Sequence, residues 1–161
     1  MRFFLFILSS FFNLITTIRN LLFDVGILKT KSYKTPVICV GNLSAGGSGK
    51  TPQINYIINL LKNEYNIAVL SRGYSRATKG FRYVNYDNSP KEVGDEALLI
   101  KQKHQDIVVA VEIKRTMGVE KIMNDYPNVN VILLDDGLQH RWIKAGFNIL
   151  MTTYKKPFFN D

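Results

Sequence analysis

The chain has 161 residues, of which 46% are hydrophobic and 21% charged, and these values suit one domain with an appendage and exclude a disordered or fibrous protein. Its single cysteine, Cys39, excludes an intramolecular disulfide framework. Basic residues outnumber acidic ones and give a formal net charge of +8, so we expect an anionic partner: phosphates, nucleic acid or an anionic membrane surface.

The N-terminal segment from Phe3 to Ile18 is apolar and uncharged, and Arg2 and Arg19 flank it. It is shorter than the roughly 20 apolar residues that a transmembrane helix needs, and it lacks the small-residue cleavage site of a signal peptide. Dense phenylalanines with basic residues after them favour a helix that lies in the membrane interface. The alternative is a helix that packs on the domain's own core. We predict a membrane-associating helix over residues 1–28.

After a basic linker over residues 29–35, short apolar runs alternate with amphipathic ones across a domain that we place at residues 36–161. The pattern predicts strands at 37–40, 67–70, 81–85, 107–111, 129–134 and 147–151, and helices at 54–61, 96–103 and 115–125. Tyr86 to Pro90 is predicted to form a turn. This alternation indicates an α/β fold with a mostly parallel sheet flanked by helices.

A glycine-rich loop lies between the first strand and the first helix of this domain, which is the context of a phosphate-binding loop. Glycines there let backbone N–H groups converge on phosphate, and the helix N-terminus adds a partial positive charge. Lys50 is placed to reach the β- and γ-phosphates, and the Thr51 hydroxyl to bind Mg²⁺. A glycine-rich linker without a ligand is the alternative. The predicted nucleotide site comprises Ser44, Ala45, Gly46, Gly47, Ser48, Gly49, Lys50 and Thr51.

Two carboxylates, Asp135 and Asp136, follow the apolar strand at 129–134. In proteins with a phosphate-binding loop, an acid at this point holds Mg²⁺ opposite the loop hydroxyl. A simple turn is the alternative, because Asp-Gly is a common turn dipeptide.

Three further side chains are candidates for the site. Asp95 opens a helix, where it either caps the helix or acts as a base for an attacking hydroxyl. Arg72 and Arg76 follow the second strand at the edge where α/β proteins bind ligands, and they either hold an anionic substrate or form a solvated loop.

Four stretches together resemble the N-terminal portion of the tetraacyldisaccharide 4'-kinase family: Val40–Pro52, Leu70–Arg76, Val93–Glu96 and Leu134–Arg141. The resemblance implies a P-loop NTPase-like fold with ATP and Mg²⁺ as cofactors. It implies transfer of the γ-phosphoryl of ATP to the 4'-hydroxyl of tetraacyldisaccharide 1-phosphate, a lipid A precursor. It also implies a peripheral or monotopic position at the cytoplasmic face of the inner membrane. We expect no nucleic-acid partner, since no binding motif accompanies the basic residues, and no obligate protein partner.

The resemblance also implies a role for each matching residue. Asp95 is the catalytic carboxylate beside the acceptor hydroxyl. The metal-side groups are Thr51, Glu96, Asp135 and Asp136. Arg72, Arg76, Gln139 and His140 are substrate-side residues that support the site.

Members of that family continue into a second lobe, which supplies a histidine partner for the catalytic aspartate. Two expectations therefore stay open for this chain: a lipid kinase, or an incomplete half that binds ATP without transferring phosphate. A third interpretation, from a different functional class, is a membrane-associated, non-catalytic ATP-binding module.

Overall fold

The computed structural model describes residues 2–42, 49–138 and 140–152, with side chains from residue 9 onward. The predicted nucleotide-binding residues 44–48 and Gln139 lie outside the described residues.

The chain opens with a 23-residue helix, α1 (Arg2–Asp24), which presents large apolar side chains to solvent. Its last turns contact the rest of the protein. The Phe23 ring is buried edge-to-face against Trp142, with 4.8 Å between the ring centroids. The Arg141 guanidinium donates to the carbonyl oxygen of Asn20 at 3.1 Å and pairs with Asp24. In the described part of the chain, no helix combines the length and hydropathy that a membrane crossing requires.

The rest of the described chain forms a six-stranded sheet with helices on both faces. The strands are β1 (Val37–Asn42), β2 (Ile67–Ser71), β3 (Arg82–Tyr83), β4 (Val108–Val111), β5 (Val131–Asp135) and β6 (Phe147–Met151). The helices are α2 (Lys50–Leu61), α3 (Pro90–Val93), α4 (Asp95–Lys103) and α5 (Arg115–Asp125). The strand order is β3-β4-β2-β5-β1-β6, and only β3 runs antiparallel to its neighbour. The predicted α/β fold with a mostly parallel sheet is confirmed.

Apolar side chains fill both faces of the sheet. One cluster joins the sheet to α2 and α4 through residues such as Ile54, Ile58 and Ile100, and the other joins it to α5 through Val119 and Ile122. Burial on both faces explains why β2 and β5 are continuous apolar runs. Because the strands are parallel, the loops that follow β1, β2, β4 and β5 meet at one edge of the sheet.

Some boundaries differ from those that the sequence predicts. The helix α2 begins at Lys50 rather than at 54, because its first turn is polar and carries no apolar periodicity. The predicted turn at 86–90 leads into the short helix α3, where Ser89 and Glu92 form a capping box. The predicted strand at 81–85 shortens to β3, whose pairing with β4 covers only two residues.

The segment at residues 29–35 packs against the domain. The Lys31 N–H donates to the carbonyl oxygen of Trp142, and the Lys144 N–H donates to that of Lys31, both at 2.9 Å. The Lys31 ammonium also pairs with Glu120 at 2.7 Å. These contacts fix the exit from α1 to the stretch of chain that follows β5.

Gly94 lies at the corner between α3 and α4 with φ +87° and ψ 148°, a region that only glycine adopts readily. A Cβ there would come within 2.9 Å of the Tyr74 carbonyl oxygen. We expect Gly94→Ala to lower the free energy of unfolding by about 3 kcal/mol, measured by urea denaturation. Gly80→Ala is the control, because Gly80 also has positive φ but open space around its Cβ position, and it should cost about 1 kcal/mol. Equal losses in the free energy of unfolding for the two variants would show that the close approach to Tyr74 does not add to the cost.

Candidate functional site

The candidate site lies where β1, β2 and β5 end, at the carboxyl edge of the sheet. Asn42, Ser71 and Asp135 are the last residues of these three strands, and all three are buried. Because β5 lies between β1 and β2, the ends of the three strands lie side by side at this edge. This edge is the one at which parallel α/β sheets bind ligands.

Lys50 is the first residue of α2, directly after Gly49, which has φ +79°. Its ammonium donates to Asn42 Oδ1 at 2.9 Å and to Asp136 Oδ1 at 3.1 Å. The α2 N-terminus has no side-chain cap, so its partial positive charge faces the same edge as the Lys50 ammonium. Thr51 follows, half-buried. A cation beside an uncapped helix N-terminus is suited to binding phosphate.

The Asp135 side chain is buried at the end of β5. Its Oδ2 accepts a hydrogen bond from the Ser71 hydroxyl at 2.9 Å, whereas its Oδ1 is buried without a partner among the described residues. Burial, with the charge of Glu96 as the next cause, raises the pKa of Asp135 to about 6. A buried carboxylate oxygen without a hydrogen-bond partner fits a ligand of a divalent cation, whose charge would offset the cost of burial.

Arg115, at the start of α5, holds the end of β5 in place. Its guanidinium is buried and donates to the carbonyl oxygens of Asp135 at 2.8 Å and Glu112 at 2.5 Å. Burial lowers the pKa of Arg115 to about 10, so the group stays charged at neutral pH. The sequence patterns did not identify Arg115 as part of the site. The one signal for it was its position just after β4, at the same edge of the sheet as the other candidates.

Asp136 turns the chain out of β5 with φ +55°, a conformation that aspartate tolerates better than most residues. Its backbone N–H donates to the carbonyl oxygen of Val40 at 2.9 Å. The exposed carboxylate thereby reaches Lys50 while Asp135 points inward. The two adjacent acids therefore have different environments.

Asp95 and Glu96 form the first turn of α4, and both are exposed. The N-cap of this helix is Gly94, so Asp95 is not the capping residue. Gly94 packs closely on the backbone of Gly73 and Tyr74, which places the start of α4 beside the loop after β2. The influence of Glu96 on the pKa of Asp135 places its charge near the same edge.

The remaining predicted residues, Arg72, Arg76 and His140, differ in their burial and contacts. Arg72 is exposed, and Arg76 folds back on its own loop to donate to the Gly80 carbonyl oxygen at 2.6 Å. Burial lowers the pKa of His140, and the nearby charges of Arg115 and Arg72 lower it further.

Across residues 2–42, 49–138 and 140–152, no three histidine, cysteine, aspartate or glutamate side chains converge on a point that could hold a metal ion. Mg²⁺ commonly takes only one or two protein carboxylates and completes its shell with phosphates and water. Asp135 and Asp136, together with the Thr51 hydroxyl, therefore fit a metal that arrives with a nucleotide rather than a metal held by protein alone.

Comparison with known proteins decides the family. The model of the tetraacyldisaccharide-1-P 4'-kinase family matches residues 1–161. The chain belongs to this family. Its similarity to the tetraacyldisaccharide 4'-kinase of Flavobacterium johnsoniae is 49% identity over 157 residues, 98% of this chain and 46% of that protein. The enzyme of the same name from Bacteroides fragilis is 49% identical over 145 residues, 89% of this chain and 39% of that protein.

The fold agrees with this assignment. The structure resembles the "apo" form of LpxK from Aquifex aeolicus, crystallised in complex with ATP, with a TM-score of 0.79 and 40% sequence identity. The match covers 88% of this chain and 46% of that one. These comparisons confirm the predicted family and P-loop NTPase-like fold. The chain spans less than half the length of the Flavobacterium and Bacteroides enzymes.

The raised pKa of Asp135 predicts a change of stability with pH. The folded chain binds this proton more tightly than the unfolded chain, whose aspartate has the ordinary pKa of 3.8. Stability should therefore fall as the pH rises from about 4 to about 6, by up to about 3 kcal/mol, and then level off. Urea unfolding across this range measures the fall.

Asp135→Asn should lose this part of the pH dependence, because an amide does not titrate. Asp87→Asn is the control, since it removes an exposed carboxylate from the turn before α3, away from β5. The interpretation fails if Asp135→Asn retains the full fall in stability.

Proposed function

We propose that this chain carries the ATP site of a tetraacyldisaccharide 4'-kinase, which transfers the γ-phosphoryl of ATP to the 4'-hydroxyl of tetraacyldisaccharide 1-phosphate. The main support is the convergence of Lys50, Asp135 and Asp136 at the carboxyl edge of the sheet, in a chain of this family. The position of the Lys50 ammonium at the start of α2 suits the β- and γ-phosphates. The loop at 44–49 would add backbone N–H groups to the same phosphates.

Mg²⁺ would be held by the Thr51 hydroxyl and by Asp135, with Asp136 and Glu96 nearby. When bound there, the ion would supply positive charge to offset the negative charge of the phosphates. The buried Oδ1 of Asp135, which has no partner among the described residues, supports this assignment. Asp136 would exchange its contact with Lys50 for one nearer the metal when the lysine turns to phosphate.

Asp95 would accept the proton of the attacking 4'-hydroxyl. The support is its exposed position on the first turn of α4, beside the loop that follows β2. A carboxylate there can orient the acceptor and take up its proton. Arg72, Arg76 and His140, with Gln139 from outside the described residues, would lie on the substrate side.

The helix α1 would lie on the membrane surface from which an acylated acceptor is drawn, at the cytoplasmic face of the inner membrane. Its exposed side chains Phe11, Phe12, Leu14 and Ile15 are suited to the acyl-chain boundary. The exposed Lys29 and Lys34 follow it and suit anionic head groups. The domain assignment follows: a membrane-associating segment at 1–28, the packed connection at 29–35 and a nucleotide-binding domain at 36–161.

Transfer of radiolabelled γ-phosphate from ATP to tetraacyldisaccharide 1-phosphate tests the function. We expect Lys50→Ala to weaken ATP binding at least tenfold, since it removes a charge-assisted contact to phosphate, and to abolish transfer. Lys62→Ala, at the opposite end of α2, is the control and should leave both unchanged.

The outcomes of this assay separate the candidate functions. Transfer that disappears in Lys50→Ala supports the kinase. ATP binding that depends on Lys50 without any transfer by the wild-type chain favours a non-catalytic ATP-binding module, or a half that needs the rest of the family's length. Undiminished ATP binding in Lys50→Ala contradicts the proposal.

Replacing Phe11, Phe12, Leu14 and Ile15 with serine tests the membrane assignment. This variant keeps Phe23 and its contact with Trp142, so the fold of the domain is preserved. Binding to anionic vesicles, measured by co-sedimentation, should fall at least tenfold because most of the buried apolar area is lost. Leu60→Ser with Leu99→Ser is the control, because it removes exposed apolar surface away from α1. Unchanged sedimentation of the α1 variant would refute the assignment.

A further inference from the structure

A buried histidine at the C-terminal end of α4 contacts the middle of α2. His104 ends α4, where its backbone N–H donates to the carbonyl oxygen of Ile100 at 2.9 Å. Its side chain is buried, and its Nε2 lies 2.9 Å from Oδ1 of Asn55 on α2. The proposed function assigns no role to this contact.

The His104 ring donates this hydrogen bond. The Oδ1 atom of an asparagine amide only accepts, so Nε2 of the ring carries the proton. Burial lowers the pKa of His104, and the nearby ammonium groups of Lys62 and Lys103 lower it further. The carboxylate of Asp106 opposes them as the smallest of these causes. The ring is therefore neutral at neutral pH, and its one N–H is the group that reaches α2.

Among the described residues, this bond is the one polar side-chain contact between α2 and α4. Apolar side chains of the core, such as Ile58 and Ile100, supply the rest of the packing. Apolar burial is non-directional, whereas a hydrogen bond has a preferred distance and angle. The bond between His104 and Asn55 therefore limits how far one helix can slide along the other.

Both helices begin at the candidate site. The first residue of α2 is Lys50 and that of α4 is Asp95, the groups proposed for the phosphates and for the acceptor hydroxyl. A slide of α4 along α2 would therefore change the distance between Asp95 and the phosphates. Reactions of positioned groups are sensitive to displacements of about 1 Å.

We propose that His104 is a positioning residue for phosphoryl transfer, because its hydrogen bond to Asn55 holds Asp95 at the distance from the bound nucleotide that transfer requires. This role rests on the proposed function, which supplies the roles of Lys50 and Asp95. Loss of the bond should displace the start of α4 and leave the binding of ATP at α2 intact.

The position of α4 is measurable by NMR without catalysis, with Mn²⁺·ATP as the probe. The paramagnetic ion broadens the amide resonances of residues 95–98 by an amount that depends steeply on distance. His104→Phe removes the donor and keeps a planar ring. We expect it to change the relaxation enhancement of these amides by about 1.5-fold, as for a displacement of about 1 Å. The affinity for Mn²⁺·ATP should match that of wild type, because Lys50 is unchanged.

Three further variants separate the hydrogen bond from packing. His104→Gln places an amide N–H near the position of Nε2 and should restore the wild-type enhancement. Asn55→Leu removes the acceptor and should reproduce the effect of His104→Phe, and the two effects should not add in the double variant. Lys103→Ala is the matched control, because it removes an exposed charge from the same turn of α4, and it should behave like wild type.

The outcomes distinguish this role from the proposed function. Equal enhancement in wild type and His104→Phe, or no restoration in His104→Gln, overturns the positioning role while Mn²⁺·ATP still binds. A wild-type chain without Lys50-dependent binding of Mn²⁺·ATP would instead overturn the proposed function. In the transfer assay, the positioning role predicts that His104→Phe lowers kcat and keeps the KM for ATP, and that His104→Gln restores kcat.

Discussion

The burial of Asp135 is the constraint on which the rest of the site depends. A carboxylate removed from water needs partners, and this one has the Ser71 hydroxyl on one oxygen and none among the described residues on the other. Arg115 adds its positive charge from α5 and fixes the backbone at the end of β5. Three strands and one helix are thus positioned around a single acid, whose pKa is raised to about 6 because the arrangement leaves its charge incompletely compensated. A cation beside Asp135 Oδ1 would compensate the rest of this negative charge.

The stretch of chain that follows β5 links this acid to the end of α1. Asp136 pairs with Lys50 at the phosphate side. A few residues later, Arg141 and Trp142 contact the end of α1. The Lys144 backbone N–H donates to the carbonyl oxygen of Lys31, in the segment that follows α1. One short segment therefore sets the position of the phosphate site relative to α1.

Local sequence patterns correctly predicted the helices and strands whose hydrophobic periodicity is strong. The bounds of α5 and β6 agree with prediction, and Lys50 and Asp136 are close in space as their motifs implied. Contacts between residues far apart in the sequence could not be predicted from such local patterns. Arg115 contacts Asp135 across 20 positions, and its place just after β4 gives the edge of the sheet on which it lies but not this contact. The packing of residues 29–35 was likewise hidden, since a polar basic stretch has the composition of a linker.

The most direct test of this account follows the Asp135 carboxyl by ¹³C NMR through a pH titration, with and without Mg²⁺ and ATP. Without nucleotide, we expect this carboxyl to titrate with a pKa of about 6. With both added, the pKa should fall well below that value, because a divalent cation beside the buried oxygen stabilises the charged form. A pKa that stays near its original value in the ATP-saturated protein would contradict the assignment of Asp135 to the metal side of the site.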